Sequence, residues 1–149
     1  MKKILMTLIV ILSATFASTA QEISANAIGL RFGGAGEGAG GEISYQKNLE
    51  NNNRLEIDLG LTNKFINFKA TGLYQWVWTL EERFNWYAGA GGGLVSAGST
   101  GIYAAGVIGI EYNFKTPILL SIDYRPEIGV AGGLNGLESD IALSVRYQF

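Results

Sequence analysis

The stretch Asp140-Ile141-Ala142-Leu143-Ser144-Val145-Arg146-Tyr147-Gln148-Phe149 decides the fold. From Ile141 onward every second residue is apolar, and small, polar or charged residues stand between them. A strand turns successive side chains to opposite faces, so the segment has one apolar and one polar face. It finishes on an aromatic residue. A free apolar strand edge recruits other chains in water, and a closed barrel avoids this by pairing its last strand with its first. The question this raises is which face of the strand meets the outside, and whether the outside is water.

The other end of the chain points to export. Lys2 and Lys3 precede an apolar run, Ile4–Leu12, broken only by Thr7. Small residues then dominate Ser13–Ala20 apart from Phe16, and Ser18-Thr19-Ala20 suits signal-peptidase cleavage before Gln21. The expectation is a cleavable signal peptide over 1–20 and a single domain over 21–149. The apolar run is too short to span a membrane well as a helix. The 11 Lys and Arg stand against 13 Asp and Glu, so removing Lys2 and Lys3 takes the net charge from −2 to −4. That balance argues against a nucleic-acid surface. With no Cys there is no lipid attachment point and no disulfide framework. With neither Cys nor His, the commonest metal ligands and the usual general base are missing. No cofactor and no metal are expected.

Alternation recurs along the chain in eight segments, placed at Ile23–Gly33, Gly41–Leu49, Arg54–Thr62, Asn67–Trp78, Phe84–Leu94, Ile102–Phe114, Ile118–Arg125 and Ile141–Phe149. Turn-bounded alternating segments of about nine to eleven residues are the signature of a transmembrane β-barrel. The expected fold is therefore all-β: an eight-stranded antiparallel up-and-down transmembrane β-barrel. Connections fall at Gly34–Gly40, Glu50–Asn53, Asn63–Ile66, Thr79–Arg83, Val95–Gly101, Lys115–Pro117 and Pro126–Ser139, the last being the longest.

Charge separates a membrane barrel from a soluble one. The polar face carries Arg31, Arg54, Lys69, Arg125 and Arg146 with Glu42, Glu56, Asp58, Glu111, Asp123 and Asp140. The apolar face carries only Lys47, near a segment end, where it can snorkel. In a soluble ligand-binding barrel the apolar face points inward; in a membrane barrel the polarity is inverted. Eight apolar faces exceed what a small barrel can enclose, since its interior is just wide enough for its own side chains. The polar face suits the interior better. Gly60, Gly89, Gly91, Gly93 and Gly109 make room there for Arg31, Tyr87, Tyr103 and Arg125. The near-balanced charges are expected to pair, because unpaired buried charge is costly.

Aromatic residues fall into two groups. Tyr45, Trp76, Trp78, Phe84, Trp86, Tyr112, Phe114, Tyr147 and Phe149 lie near the short turns or the C-terminus, and Phe32, Phe68 and Tyr124 lie at the opposite segment ends. Two such girdles are expected at the interfaces of a bilayer. Trp76, Trp78, Trp86, Tyr112, Phe114, Tyr147 and Phe149 form the stronger one.

Over Ile23–Phe149 the chain resembles the transmembrane domain of the outer-membrane protein A family, the small eight-stranded barrels of Gram-negative outer membranes. The most specific element is the last strand, where Leu143, Val145, Tyr147 and Phe149 match the pattern that family presents to the barrel assembly machinery. The resemblance implies termini in the periplasm, with Gly34–Gly40, Asn63–Ile66, Val95–Gly101 and Pro126–Ser139 facing outward. It also implies the secretion and assembly machineries and outer-membrane lipid as partners. That family's peptidoglycan-binding domain has no counterpart here, so wall tethering does not carry over.

Two other motifs have structural readings. Gly36–Gly41 satisfies G-x-G-x-x-G, but a strand rather than a helix follows it, so the dinucleotide reading lacks its context. Gly89–Gly93 reads as wall thinning rather than a phosphate cradle. Glu56, Asp58, Glu111 and Asp123 read as lumen partners of the basic residues rather than as catalytic pairs. The expected function is non-enzymatic: an integral outer-membrane barrel with a structural or surface-interaction role, its lumen plugged by charge and Pro126–Ser139 as its main contact surface. The alternatives are a narrow channel and a soluble periplasmic ligand-binding barrel.

Overall fold

Eight strands hydrogen-bond in sequence order and close on themselves, β1 pairing with both β2 and β8. The computed structural model describes residues 24–35, 38–62, 64, 66–134 and 136–149. The signal peptide expected over 1–20 lies outside them. The strands are β1 (Asn26–Ala35), β2 (Gly38–Asn48), β3 (Asn53–Thr62), β4 (Asn67–Glu81), β5 (Phe84–Ala97), β6 (Ser99–Asn113), β7 (Ile118–Ala131) and β8 (Leu137–Gln148). All pairings are antiparallel, and the closing register runs from Ala27↔Gln148 to Gly34↔Ile141.

The alternation read from the last segment holds in the structure. Ile141, Leu143, Val145 and Tyr147 are exposed, while Ala142, Ser144, Arg146 and Gln148 are buried. On β3, Leu55, Ile57, Leu59 and Leu61 point out and Arg54, Glu56 and Asp58 point in. Among the described residues, 21 buried side chains are polar or charged and nine are hydrophobic. A domain folding in water buries its apolar residues and shows no such continuous apolar belt. The polarity suits a hydrocarbon surround, where a closed ladder is what satisfies the backbone groups of a spanning sheet.

The connections differ from the sequence reading. At the end away from the termini, the far end, β1 and β2 pair as far as Ala35↔Gly38, β5 and β6 as far as Ala97↔Ser99, and β7 and β8 as far as Ile128↔Leu137. The expected loops at Gly34–Gly40, Val95–Gly101 and Pro126–Ser139 therefore shrink, the last to residues 132–136. Glycine clusters and Pro126 were breaker signals that the barrel absorbs. Pro126 lacks an N–H to donate. It sits on the outer face of β7 beside Gly106, in the gap that the β6–β7 ladder leaves between Ala105↔Glu127 and Ile108↔Tyr124 without a change of register. At the termini end, the Glu50–Asn52 turn holds Asn51 and Asn52 at φ 62° and 60°, left-handed backbone that asparagine tolerates. Loop length thus gives no asymmetry between the two ends.

Candidate functional site

The lumen is the chemically distinctive part of the molecule, and its two halves differ. β4, β5 and β6 line one half with an apolar column: Leu73, Val77, Tyr87, Tyr103, Ala105 and Val107. β1–β3, β7 and β8, joined by Lys69 of β4 and Glu111 of β6, line the other with charge. The sequence reading placed Tyr87 and Tyr103 inside but did not foresee the apolar half they belong to. Period two puts Leu73 and Val107 on the same inward face as Gln75 and Tyr103, and a reading that followed the charges passed over them.

The charged half is a chain of ion pairs. Arg31 reaches Glu42 and Asp140 at 2.9 Å and Asp123 at 2.6 Å. Arg125 reaches Glu42 and Asp58 at 2.8 Å and Asp140 at 3.4 Å. Glu42 and Asp140 are thus shared by two guanidiniums. Toward the far end, Lys69 Nζ lies 2.6 Å from Glu127, whose Oε1 is also 3.1 Å from Arg125 Nε, out of line for a hydrogen bond. Toward the termini end, Arg146 pairs with Glu56 at 3.2 Å and donates to Ser44 and Ser121, and Gln46 donates to Glu56. Arg54 pairs with Glu111 at 2.8 Å, donates to Gln75 Oε1, and lies 4.9 Å from the Tyr87 ring centre.

All eleven charged residues singled out from the sequence point into the lumen and take part in these pairs. Glu127 belongs with them and was missed because Pro126 made its segment read as loop. Arg83, read as part of a turn, is also buried, and its Nη1 donates to the Asn113 carbonyl. Charge-assisted, forked contacts of this kind are strong only when geometry and remaining donors are satisfied. The pairs join β1, β2, β3, β4, β6, β7 and β8 across the barrel, so they tie distant strands together in a way the ladder cannot.

Glycines fit the large interior side chains where expected for the two tyrosines. A Cβ at Gly109 would come within 2.5 Å of the Tyr87 ring and hydroxyl, and one at Gly93 would run into Tyr103. The Tyr103 hydroxyl bonds Thr71 at 2.6 Å. Gly109→Val should therefore lower unfolding stability in micelles by about 1–3 kcal/mol, the cost of overpacking a filled interior. In a Tyr87→Ala background the same change should cost measurably less. Equal costs in both backgrounds would show that the tyrosine does not use that space.

On the outer surface the termini end is ringed by aromatics. Trp78 stacks on Trp86 at 4.3 Å, Tyr112 meets Phe84 and Phe114 edge-on at 4.8 and 4.7 Å, and Tyr147 stacks near Phe149 at 6.4 Å. Trp76 packs edge-on against Tyr74. Leu143, Val145, Tyr147 and Phe149 are all exposed on the outer face of β8 and the residue after it.

No protein-family model and no curated protein matches this sequence. The structure is similar to the crystal structure of Neisserial surface protein A (NspA), with a TM-score of 0.65 and 17% identity over 87% of this chain and 100% of that one. It is equally similar to a designed protein from the de novo design of transmembrane β-barrels, with a TM-score of 0.67 and 14% identity over 88% of this chain and 100% of that one. The fold is that of a small transmembrane β-barrel. Both likenesses show the fold, and a fold does not by itself assign an activity.

Proposed function

We propose that this chain is an integral outer-membrane β-barrel with a structural or surface-interaction role and a lumen closed to ions. The observation that carries this reading is the inverted polarity: apolar side chains face outward on all eight strands while paired charges fill the interior. Residues 1–20 would direct export, and Leu143, Val145, Tyr147 and Phe149 would be read by the assembly machinery on the face that later meets lipid. Trp76, Trp78, Trp86, Tyr112, Phe114, Tyr147 and Phe149 would seat the termini end at the periplasmic interface. The short far-end connections, not a long Pro126–Ser139 loop, would then form the surface seen from outside. A soluble ligand-binding barrel needs the opposite polarity, with its apolar faces turned inward.

Fractionation of a Gram-negative host tests the placement. The protein should stay with outer membranes through high-salt and alkaline washes, leave them only with detergent, and migrate differently on gels before and after boiling. Release by salt would overturn the reading. Planar bilayers test the closed lumen: the purified protein should give no stable single-channel steps. Reproducible, ion-selective steps would favour the narrow channel instead.

A further inference from the structure

We propose that Arg31 is a clasp that holds the barrel shut along the β1–β8 seam, and that this seam is the line on which the barrel opens when the clasp is lost. Seven of the eight ladders join strands that follow one another in the chain. The seam alone joins β1 to β8, so it carries the largest loop-closure cost of any pairing in the fold. Arg31 and its β8 partner Asp140 stand 109 residues apart. The seam runs from Ala27↔Gln148 to Gly34↔Ile141, and at the termini end Asn26 and Phe149 exchange backbone hydrogen bonds of 3.1 and 2.9 Å.

Arg31 is the one long side chain that β1 sends inward among its described positions; the others are Ala27, Gly29 and Gly33. Its guanidinium grips two carboxylates across the seam. Nη1 and Nη2 donate to Asp140 at 2.9 and 3.0 Å, and Nη2 and Nε donate to Asp123 at 2.6 and 3.4 Å. Asp123 belongs to β7, so the second grip passes over the partner strand altogether. Toward β2 the guanidinium makes one bond, to Glu42 at 2.9 Å. Forked, charge-assisted contacts are the stronger kind. Glycine gives the clasp its room. A Cβ at Gly33 would lie 2.8 Å from Asp140 Oδ1, the oxygen that Arg31 Nη2 holds, and one at Gly29 would strike the Val145 carbonyl.

The rest of the charged half does not hang on Arg31. Without it Glu42 and Asp140 keep Arg125, and Asp123 keeps the Tyr87 hydroxyl at 3.3 Å. β1 keeps its ladder with β2, from Asn26↔Lys47 to Ala35↔Gly38, but its printed side-chain bonds to β7 and β8 are gone. The result is a local opening, in which the β1–β2 hairpin parts from β8 while the other ladders hold.

An antiparallel ladder alternates hydrogen-bonded and non-hydrogen-bonded pairs. Counted from Asn26 and Phe149, the amides of Leu30, Phe32, Leu143 and Val145 bond across the seam; counted from Ala25 and Asn48, those of Gly29 and Gly33 bond β2. Amide hydrogen exchange followed by NMR in micelles therefore reads the two sides of one strand separately. In Arg31→Met the seam amides should exchange at least about tenfold faster relative to Gly29 and Gly33, as for a local opening. Arg31→Lys keeps the charge, loses the fork and should give a smaller rise in the same ratio. Arg54→Met removes a buried guanidinium whose partner Glu111 lies on β6, away from the seam, and should leave the ratio unchanged. Heat-modifiable migration identifies the folded barrel in each variant. An unchanged ratio in Arg31→Met overturns the clasp, and so does an equal rise in Arg54→Met, because the loss of any lumen charge would then open the seam. If Arg31→Met does not fold, an unchanged ratio in Arg31→Lys overturns it.

Discussion

Arg125→Met is expected to lower the unfolding free energy of the barrel by about 3–5 kcal/mol, the range for removing one partner from a buried ion pair. Arg125 is fully buried and faces four carboxylates from four strands: Glu42, Asp58, Glu127 and Asp140. Methionine keeps the apolar stem of arginine without its guanidinium and leaves Asp58, whose one ion pair among the described residues is with Arg125, uncompensated. Arg125→Lys keeps the charge and loses the fork that reaches Glu42 and Asp58 together, so it should fall between wild type and methionine. The measurement is urea unfolding in lipid vesicles, followed by the fluorescence of Trp76, Trp78 and Trp86. The loss should change little with salt, since buried pairs are weakly screened. A loss below about 1 kcal/mol would put these pairs in the class of solvated surface pairs and the lumen in contact with bulk water.

That network also shows how far the sequence could be read. Strand number, order and facing followed from alternation because period two is a local property, and the inward direction of Arg31, Arg54, Asp58 and Arg125 followed with it. Which charge meets which did not. Arg31 and Asp123 are separated by 92 residues and Arg125 and Glu42 by 83, and those partnerships depend on closure and register around the whole barrel. The far-end boundaries were misread for a different reason. In a soluble sheet Gly34, Gly40, Gly101 and Pro126 would end strands, yet here they lie inside β1, β2, β6 and β7. In a closed small barrel glycine relieves curvature and crowding, and proline is tolerated where the ladder leaves a pair unmade.

Leu59→Arg should cost about 2–4 kcal/mol in a bilayer, and Leu55→Arg about 0–1 kcal/mol, because the penalty for lipid-facing arginine falls from midplane to interface. Both leucines face outward on β3 and are similarly exposed, at 47% and 42%. They differ in depth. Leu55 pairs with Lys47, the outward charge at the termini end, and with Tyr74, whereas Leu59 pairs with Ile43, the central residue of β2, and with Ala70. From Leu55 to Leu59 the strand advances roughly 13 Å at about 3.3 Å per residue, and somewhat less along the normal once tilted. In water the two substitutions are equivalent exposed changes, each within about 0.5 kcal/mol of neutral. The difference between them therefore reports the solvent around the barrel independently of any effect on the lumen. Vesicle unfolding of both variants should show the gap, with Lys47→Leu having little effect. Equal costs for Leu55→Arg and Leu59→Arg would mean that the apolar belt is not immersed in hydrocarbon, and the membrane reading of the inverted polarity would fall with it.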